Sequence, residues 1–175
     1  NGKVNEAWAF ESGVYDTSTF GFEPGVGFTD QRERSPGATI WLPTEDEWVK
    51  AMYYDPNRYG PGEEGYWQYA HGSDARPIIG LPEDGGETDA ELNLFFPLDV
   101  DAYESFSPLG VLGGSSGRRE MLETNWMNVI DDGGSRTARG GSYMFPTSLA
   151  SLDSRVSLTP TSTTRGLRFV IAVPG

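Results

Sequence analysis

The sequence predicts an α+β domain with little regular secondary structure, built from short twisted antiparallel strands and few short helices. Its 175 residues are enough for one domain with a buried core and few for two. The 23 glycines and 12 prolines indicate many turns and few long elements. Hydrophobic residues make up 37% of the chain, which is too large a share for a disordered protein. We therefore expect residues 1–175 to form a single domain.

The strongest local signal is a short helix that begins after Thr44. Residues 1–38 show no helical period, and we expect short strands and ordered loop there. The Thr44 hydroxyl is placed to accept a hydrogen bond from the backbone of Glu47, and the Glu47 side chain can return the bond, which makes a capping box. Pro56 limits the helix to about ten residues. One face of this helix is apolar and carries Trp48, Ala51 and Met52.

Residues 57–92 are predicted to form an ordered loop rather than a flexible linker. Glycines and acidic residues alternate there with large apolar side chains, which favours packing against a core. Aromatic residues in this region either anchor the loop or form a platform on which a sugar stacks, so carbohydrate is a possible ligand. The residues concerned are Tyr53, Tyr54, Tyr59, Tyr66, Trp67 and Tyr69.

The last third of the chain is predicted to form short strands at 139–145, 150–158 and 166–173. In the last of these, alternate apolar residues share one face of a strand: Leu167, Phe169, Ile171 and Val173. The glycine-rich run 113–117 lacks the lysine of a phosphate-binding loop.

The charge and composition exclude several classes of function. A net charge of -13 argues against nucleic acid and against an anionic membrane surface as partners. No stretch approaches the roughly 20 apolar residues of a membrane-spanning helix, so no membrane insertion is expected. There is no cysteine, and His71 is the one histidine, so thiolate sites and sites with several imidazoles are excluded. The sequence does not begin with Met or with a signal peptide.

Four segments of the chain, in order, carry motifs of one known family. The first is WLPTEDEW at 41–48, which is similar to the pattern R-L-P-T-E-x-E-W. The second, at 66–74, contains YWQY and GSD, and the third, at 97–120, contains PLDV, SPLG and GRRE. The fourth, at 139–168, contains RGGS, Arg155 and GLR. With these motifs the chain resembles the formylglycine-generating enzyme (sulfatase-modifying factor) family, which implies a C-type-lectin-like fold. The chain resembles secreted bacterial members of that family, which implies a secreted or cell-surface protein.

The family's N-terminal part has no counterpart before residue 39. In this fold the first and last strands pair, so the edge formed by residues 166–173 would otherwise be open and apolar. We expect upstream residues of the same protein, or another protein chain, to supply the missing strand and helices. The alternative is that residues 1–38 provide a substitute strand.

The resemblance also implies a pocket in which two cysteines bind copper and one engages the substrate. In this chain the two positions are Phe145 and Ala150, neither of which binds Cu(I). Arg119 stands where the family has a tryptophan on the floor of the site, and Ser142 keeps a serine of the pocket. Copper and the family's oxidation of a peptidyl cysteine are therefore not expected, and we expect no catalytic residue or cofactor.

Calcium is the one metal that the resemblance leaves open. Asn93 matches the first ligand of one family calcium site, and Glu120 matches the carboxylate of the second. The remaining side-chain ligands are missing, and Arg118 or Arg119 could replace the ion by pairing with Glu120. A salt-bridged or capping Glu120 is the preferred interpretation.

Other candidate residues are interpreted as structural. Two acidic pairs, Asp99 with Asp101 and Asp131 with Asp132, could form an acid–base couple, but a solvated edge or turn is more typical. The spacing places Asp99 and Asp101 on one side of a strand that faces water. His71 is interpreted as a surface loop residue.

The preferred functional hypothesis is a non-catalytic binding or structural module on the family scaffold. Three alternatives stay open: a structural subunit of a surface assembly or filament, an enzyme completed by another segment, and a hypervariable recognition protein. The last would vary at positions such as Tyr143, Phe145, Ser148 and Ser154.

Overall fold

The computed structural model describes residues 13–16, 18, 21–25, 27–28, 31, 33–126, 135–158 and 165–172. The described part holds one α-helix, α1 (Glu45–Tyr53), and ten short strands. The strands are β1 (Phe22–Glu23), β2 (Gly27–Phe28), β3 (Ile40–Trp41), β4 (Tyr54–Gly60), β5 (Glu63–Tyr66), β6 (Arg119–Asn125), β7 (Arg136–Arg139), β8 (Val156–Leu158), β9 (Arg165–Gly166) and β10 (Val170–Ile171). Single 3₁₀ turns occupy Pro82–Asp84 and Thr147–Ala150. The predicted α+β class is confirmed.

Helix α1 begins and ends as the sequence predicts. The backbone N–H of Glu47 donates to Thr44 Oγ1 at 3.2 Å, and the N–H of Thr44 donates to Glu47 Oε2 at 2.9 Å. The reciprocal pair satisfies donors that a helix start otherwise leaves free. Trp48 and Met52 are buried, and they form the core of the domain with Tyr53, Ala70 and Leu122. The helix therefore packs on β6, which carries Leu122.

The largest sheet has four strands in the order β8-β7-β6-β9. Strand β7 is antiparallel to both β8 and β6, with Ala138 opposite Val156 on one side and Met121 on the other. Strand β9 runs parallel to β6, with Gly166 opposite Glu120, so the prediction of antiparallel strands is wrong for this pair.

A hairpin, β4–β5, follows the helix directly, although the sequence suggested only a loop there. Tyr54 pairs with Tyr66, and the register shifts further along the hairpin. Pro56 ends the helix but is tolerated at an edge strand, where its missing N–H leaves no ladder bond unmade. The prediction of a loop is therefore wrong for residues 57–60 and 63–66, which belong to these two strands.

The C-terminal segment forms two short strands rather than the single strand predicted at 166–173. Strand β9 joins the large sheet, whereas β10 pairs antiparallel with β3 through Val170 opposite Trp41. Leu167, Phe169 and Ile171 remain 54%, 57% and 64% exposed. An apolar surface is thus present on this segment, although β3 pairs with β10. Val173 lies outside the described residues.

Two further strand predictions are wrong in extent. Strand β7 ends at Arg139, and residues 140–146 form a turn rather than continuing as a strand. In the segment 150–158 only the last three residues are strand. Glycines at 140 and 141 end the strand, because Gly140 adopts a φ of 94° that other residues rarely take.

The buried carboxylate of Glu123 connects Tyr15 and Arg34, near the start of the chain, to the large sheet. Glu123, on β6, is 4% exposed. It accepts hydrogen bonds from the Tyr15 hydroxyl at 2.9 Å and from Arg34 N and Nη1 at 2.7 and 3.2 Å. Burial, together with this carboxylate, raises the pKa of Tyr15. The network places residues 33–38 beside Trp41 and α1.

Candidate functional site

The RGGS segment forms a tight crossing between two loops. Gly141 donates its N–H to the carbonyl of Gly114 at 3.2 Å. A Cβ atom built on Gly141 would overlap the carbonyl of Ser115, so this position has no room for a side chain. The glycine pair thus lets residues 139–142 lie directly against residues 114–116.

Arg139, which opens the segment, has a structural role. Its Nε donates to Glu45 Oε1 at 2.7 Å, and its Nη1 donates to the carbonyls of Leu152 and Ser154 at 2.8 and 3.0 Å. The side chain is 9% exposed. Arg139 therefore ties the start of α1 to the loop that precedes β8.

Ser142 and Phe145 are joined by a turn. The N–H of Phe145 donates to the Ser142 carbonyl at 3.1 Å, while the N–H of Met144 donates to Ser142 Oγ at 3.4 Å. Ser142 is 2% exposed, so its hydroxyl supports the turn from inside. Phe145 is partly exposed and Met144 is 45% exposed, so the turn itself lies at the surface.

The side chain of Arg119, on strand β6 of the large sheet, packs against the ring of Phe145. Its guanidinium carbon lies 4.1 Å from the centre of the Phe145 ring, a cation–π distance. Arg119 is 6% exposed, and burial lowers the pKa of its guanidinium. Within the described part of the chain, its Nε and Nη2 atoms are shielded from solvent and have no hydrogen-bond acceptor. A buried guanidinium with two unpaired donors is unusual, because its desolvation is not offset.

Ala150 occupies a different environment from the other three residues of the inferred pocket. It is fully buried, and its carbonyl accepts a hydrogen bond from the Tyr53 hydroxyl at 3.0 Å. Burial raises the pKa of Tyr53. The structure therefore places the Arg119 side chain of β6 against the surface turn that holds Ser142 and Phe145, and it places Ala150 against the buried core residue Tyr53.

Glu120 is salt-bridged, but its partner is Arg168 rather than Arg118 or Arg119. Arg168 donates from Nε to Oε2 at 2.8 Å and from Nη2 to Oε1 at 2.6 Å. Trp48 Nε1 also donates to Oε2, at 2.6 Å. Arg168 thus supplies at Glu120 the positive charge that a calcium ion would supply.

Asn93 lies on an exposed loop with a φ of 50°. Its Nδ2 donates to the Glu91 carbonyl at 3.0 Å, and its backbone N–H donates to the carbonyl of Tyr143 at 2.9 Å. Among the residues that the structure describes, no three histidine, aspartate or glutamate side chains converge as a metal ion would require. Calcium binding at Asn93 or Glu120 stays a prediction.

Of the two acidic pairs, Asp99 with Asp101 lies in the described part of the chain. Asp99 and Asp101 are exposed in a turn closed by the N–H of Ala102 donating to the Asp99 carbonyl at 3.0 Å, rather than on a strand as predicted. Asp131 and Asp132 lie outside the described residues.

His71 lies in a turn, as a loop residue would, but its side chain is half-buried. It lines an open cleft of about 430 Å³ together with Glu87, Tyr103 and Glu104. Burial lowers the pKa of His71, and the charge of Glu87 acts in the opposite direction. In the same cleft, burial and the charge of Asp89 raise the pKa of Tyr103 to about 12.

Some of the aromatic residues in this region anchor the loop to the core, and others are exposed as a sugar-binding platform would require. Tyr53 and Tyr69 are buried, so they anchor the loop to the core. Tyr59 and Tyr66 are 65% and 41% exposed on the hairpin. The Arg58 guanidinium lies 4.9 Å from the Tyr59 ring and 4.6 Å from the Trp67 ring, so protein contacts already occupy part of this surface.

Sequence reasoning missed Asp89, which organises the loops around the site. Asp89 is fully buried, and its carboxylate accepts hydrogen bonds from the N–H groups of Gly117 at 2.7 Å and Leu98 at 3.4 Å. Its neighbour Thr88 donates to the Ser115 carbonyl at 2.5 Å. The signal in the sequence was weak, because Asp89 is one of several acidic residues in a polar stretch.

Fold and site together define a strand-rich α+β protein in which a buried arginine of the large sheet packs against a surface turn. No model of a known protein family matches the chain, and no curated protein matches it. The chain is similar to Treponema denticola variable protein 1 at 18% identity and a TM-score of 0.52, over 78% of this chain and 49% of that chain. It is also similar to the crystal structure of CarF at 24% identity and a TM-score of 0.55, over 81% of this chain and 51% of that chain.

At these identities the likeness extends to the fold alone. The chain spans about half the length of the two solved chains that it resembles. In the described residues no helix is both long and apolar enough to cross a membrane.

Proposed function

We propose that this chain is a non-catalytic binding module with a C-type-lectin-like fold of the formylglycine-generating-enzyme type. The observation that carries the proposal is the contact of Arg119 with Phe145, at one of the two positions where that family binds copper through cysteine. A phenyl ring and a guanidinium supply neither a thiolate nor a redox centre. A partly exposed turn with a cation beneath it is instead suited to holding a ligand.

An assay of both chemistry and binding tests this function. The purified protein is incubated with Cu(I), oxygen and a cysteine-bearing peptide, and aldehyde is sought by mass spectrometry. We expect none above a protein-free control, and aldehyde above that background would overturn the proposal.

Binding is then measured by surface plasmon resonance against panels of glycans and peptides. We expect any ligand found to bind at least roughly tenfold more weakly to a Phe145→Ala variant. A Tyr59→Ala variant, changed on the distant hairpin, serves as the matched control. If Tyr59→Ala abolishes binding and Phe145→Ala does not, the ligand uses the hairpin instead of the turn.

A second candidate function is a structural subunit of a surface assembly. It is favoured by the large apolar side chains left exposed on two segments, since exposed apolar patches mark interaction sites. The residues are Phe95, Phe96, Leu167, Phe169 and Ile171. Phe95 and Phe96 are 90% and 70% exposed and pack edge to face at 4.8 Å.

Sedimentation velocity over a hundredfold range of concentration distinguishes this candidate. A subunit of an assembly is expected to self-associate, and a Phe169→Ser/Ile171→Ser variant to remain monomeric. A sedimentation coefficient that is constant and identical for both proteins would count against an assembly of identical chains.

Partners and location follow from the same proposal. The partner would be a protein or an N-terminal half of the same protein, with carbohydrate as a further ligand class for the exposed hairpin rings. A secreted or cell-surface location agrees with the resemblance on which the proposal rests. An enzyme completed by another segment, or a recognition protein variable at Tyr143, Phe145, Ser148 and Ser154, would be revealed by activity or by sequence comparison among copies.

A further inference from the structure

We propose that Arg119 is a binding site for a carboxylate, held by the edge of the guanidinium that carries Nε and Nη2. The inference deepens the proposed binding function, because it names the chemical class that the turn would recognise. It starts from the two donors of Arg119 that have no acceptor among the described residues.

The unpaired nitrogens belong to one edge of the guanidinium. Nε and Nη2 point their hydrogens in the same direction and in the same plane, with the spacing of the two oxygens of a carboxylate. A scattered pair of unpaired donors would be compatible with separate water molecules. Two adjacent donors on one edge instead fit a single bidentate acceptor.

Another arginine of the chain, Arg168, binds a carboxylate through the same edge of its guanidinium. Arg168 donates from Nε and Nη2 to the two oxygens of Glu120, at 2.8 and 2.6 Å. Arg119 precedes Glu120 on β6, and successive strand residues face opposite sides of a sheet. The two arginines therefore lie on opposite sides of β6, where Arg168 has a carboxylate partner and Arg119 has none in the described part of the chain.

Burial makes the missing acceptor costly. Arg119 is 6% exposed, and both unpaired atoms are shielded from water. The Phe145 ring covers one face of the guanidinium but supplies no hydrogen-bond acceptor. A carboxylate at the free edge would restore the bonds that the buried cation lost on leaving water.

The charge of the protein favours a monoanion over a phosphate or sulfate dianion. With a net charge of -13, the chain repels a dianion about twice as strongly as a carboxylate at long range. Phe145 is partly exposed at the surface turn, and its ring lies over one face of the guanidinium, so it offers an apolar surface beside the donor edge. Carboxylates with an apolar body, such as benzoate, are expected to bind more tightly than acetate.

Thermal denaturation with added salts tests the site. Wild-type protein is heated in sodium acetate, benzoate, phosphate, sulfate or chloride at one ionic strength. We expect Tm to rise with the concentration of acetate and benzoate relative to chloride, and to rise less with phosphate or sulfate. A response to phosphate and sulfate alone would overturn the assignment to carboxylates, and no response relative to chloride would overturn the site.

Variants then locate the effect. Arg119→Lys keeps the charge but loses the two-donor edge, so benzoate affinity measured by calorimetry should fall roughly tenfold or more. Arg118→Lys, changed at the neighbouring arginine, is expected to retain wild-type affinity. Equal binding by Arg119→Lys and wild type would overturn the inference. If Arg119→Lys does not fold, the wild-type Nε–Hε resonance of Arg119, assigned with Arg119→Met, must shift on addition of benzoate.

This experiment separates the site from the proposed function. Carboxylate binding can be present while the panels of glycans and peptides give no ligand, and a macromolecular ligand can bind the turn with no response to benzoate. Each result overturns one statement and leaves the other standing.

Discussion

Arg168 and Glu120 are joined by two hydrogen bonds, although they are 48 positions apart in the chain. Glu120 also accepts a bond from Trp48 Nε1 at 2.6 Å, so the same carboxylate links the C-terminal segment, strand β6 and helix α1. The Glu120 side chain is 10% exposed and that of Arg168 is 26% exposed. The pair therefore lies where its charges are partly desolvated.

Arg168→Met is expected to destabilise the fold by about 2 kcal/mol, because it leaves a largely buried carboxylate without its cation. The measurement is the free energy of unfolding from urea titration. Adding Glu120→Gln to Arg168→Met should recover part of the loss, since the unpaired charge is then removed. Asp74→Asn, which weakens the pair between Arg58 and an Asp74 side chain that is 57% exposed, is the control and should cost less than about 1 kcal/mol. A loss no greater than in this control would show that the pair contributes little.

Arg119→Met is expected to raise the free energy of unfolding by about 1 kcal/mol in buffer without carboxylates. The substitution removes two unpaired buried donors and keeps an unbranched apolar side chain against Phe145. Arg118→Met is the matched control and should not stabilise, because Arg118 lies 5.6 Å from the Tyr143 ring and has further interactions. A marked destabilisation by Arg119→Met would indicate that its guanidinium is paired in solution.

Gly141→Ala is expected to destabilise the protein by more than about 3 kcal/mol, or to prevent folding, because the new Cβ overlaps backbone atoms of Ser115. Circular dichroism and urea titration measure the effect. Gly80→Ala is the control, since a Cβ there meets its nearest atom, Gly86 Cα, at an ordinary 3.4 Å. Equal stability of the two variants would mean that residues 114–116 and 140–142 do not pack as described.

Stability is expected to fall as the pH is lowered from 7.5 to 5.5, in part because of His71. Burial lowers the pKa of His71 below its ordinary value of 6.5, so the unfolded chain binds a proton more readily than the folded one. The contribution of neutral His71 to the free energy of unfolding is complete above pH 6.5. It is lost as the pH falls toward the lower pKa that His71 has in the folded protein. Glu87 and Glu104, which line the same cleft, would stabilise the protonated form and limit the shift.

Proton NMR of the single imidazole gives its pKa directly, and urea titration at both pH values gives the stability. His71→Gln should show a smaller loss of stability between pH 7.5 and 5.5 than the wild type. A measured pKa of 6.5 or higher would contradict the structural argument.

Local sequence determined helix α1 and its capping, because the Thr44–Glu47 hydrogen bonds join residues three apart and need no other part of the chain. It also determined that this chain offers no thiol, because the sequence contains no cysteine. The tertiary structure decided that Glu120 pairs with Arg168, that Phe145 lies on Arg119 and that Ala150 packs against Tyr53. Each of these contacts joins residues far apart in the sequence. Several residues of the same chemical type could have made each contact, and the sheet register and the loop packing decide which one does. The hairpin after α1 was also decided by the tertiary structure, because a strand that contains Gly and Pro is stable only when its neighbouring strand is in place.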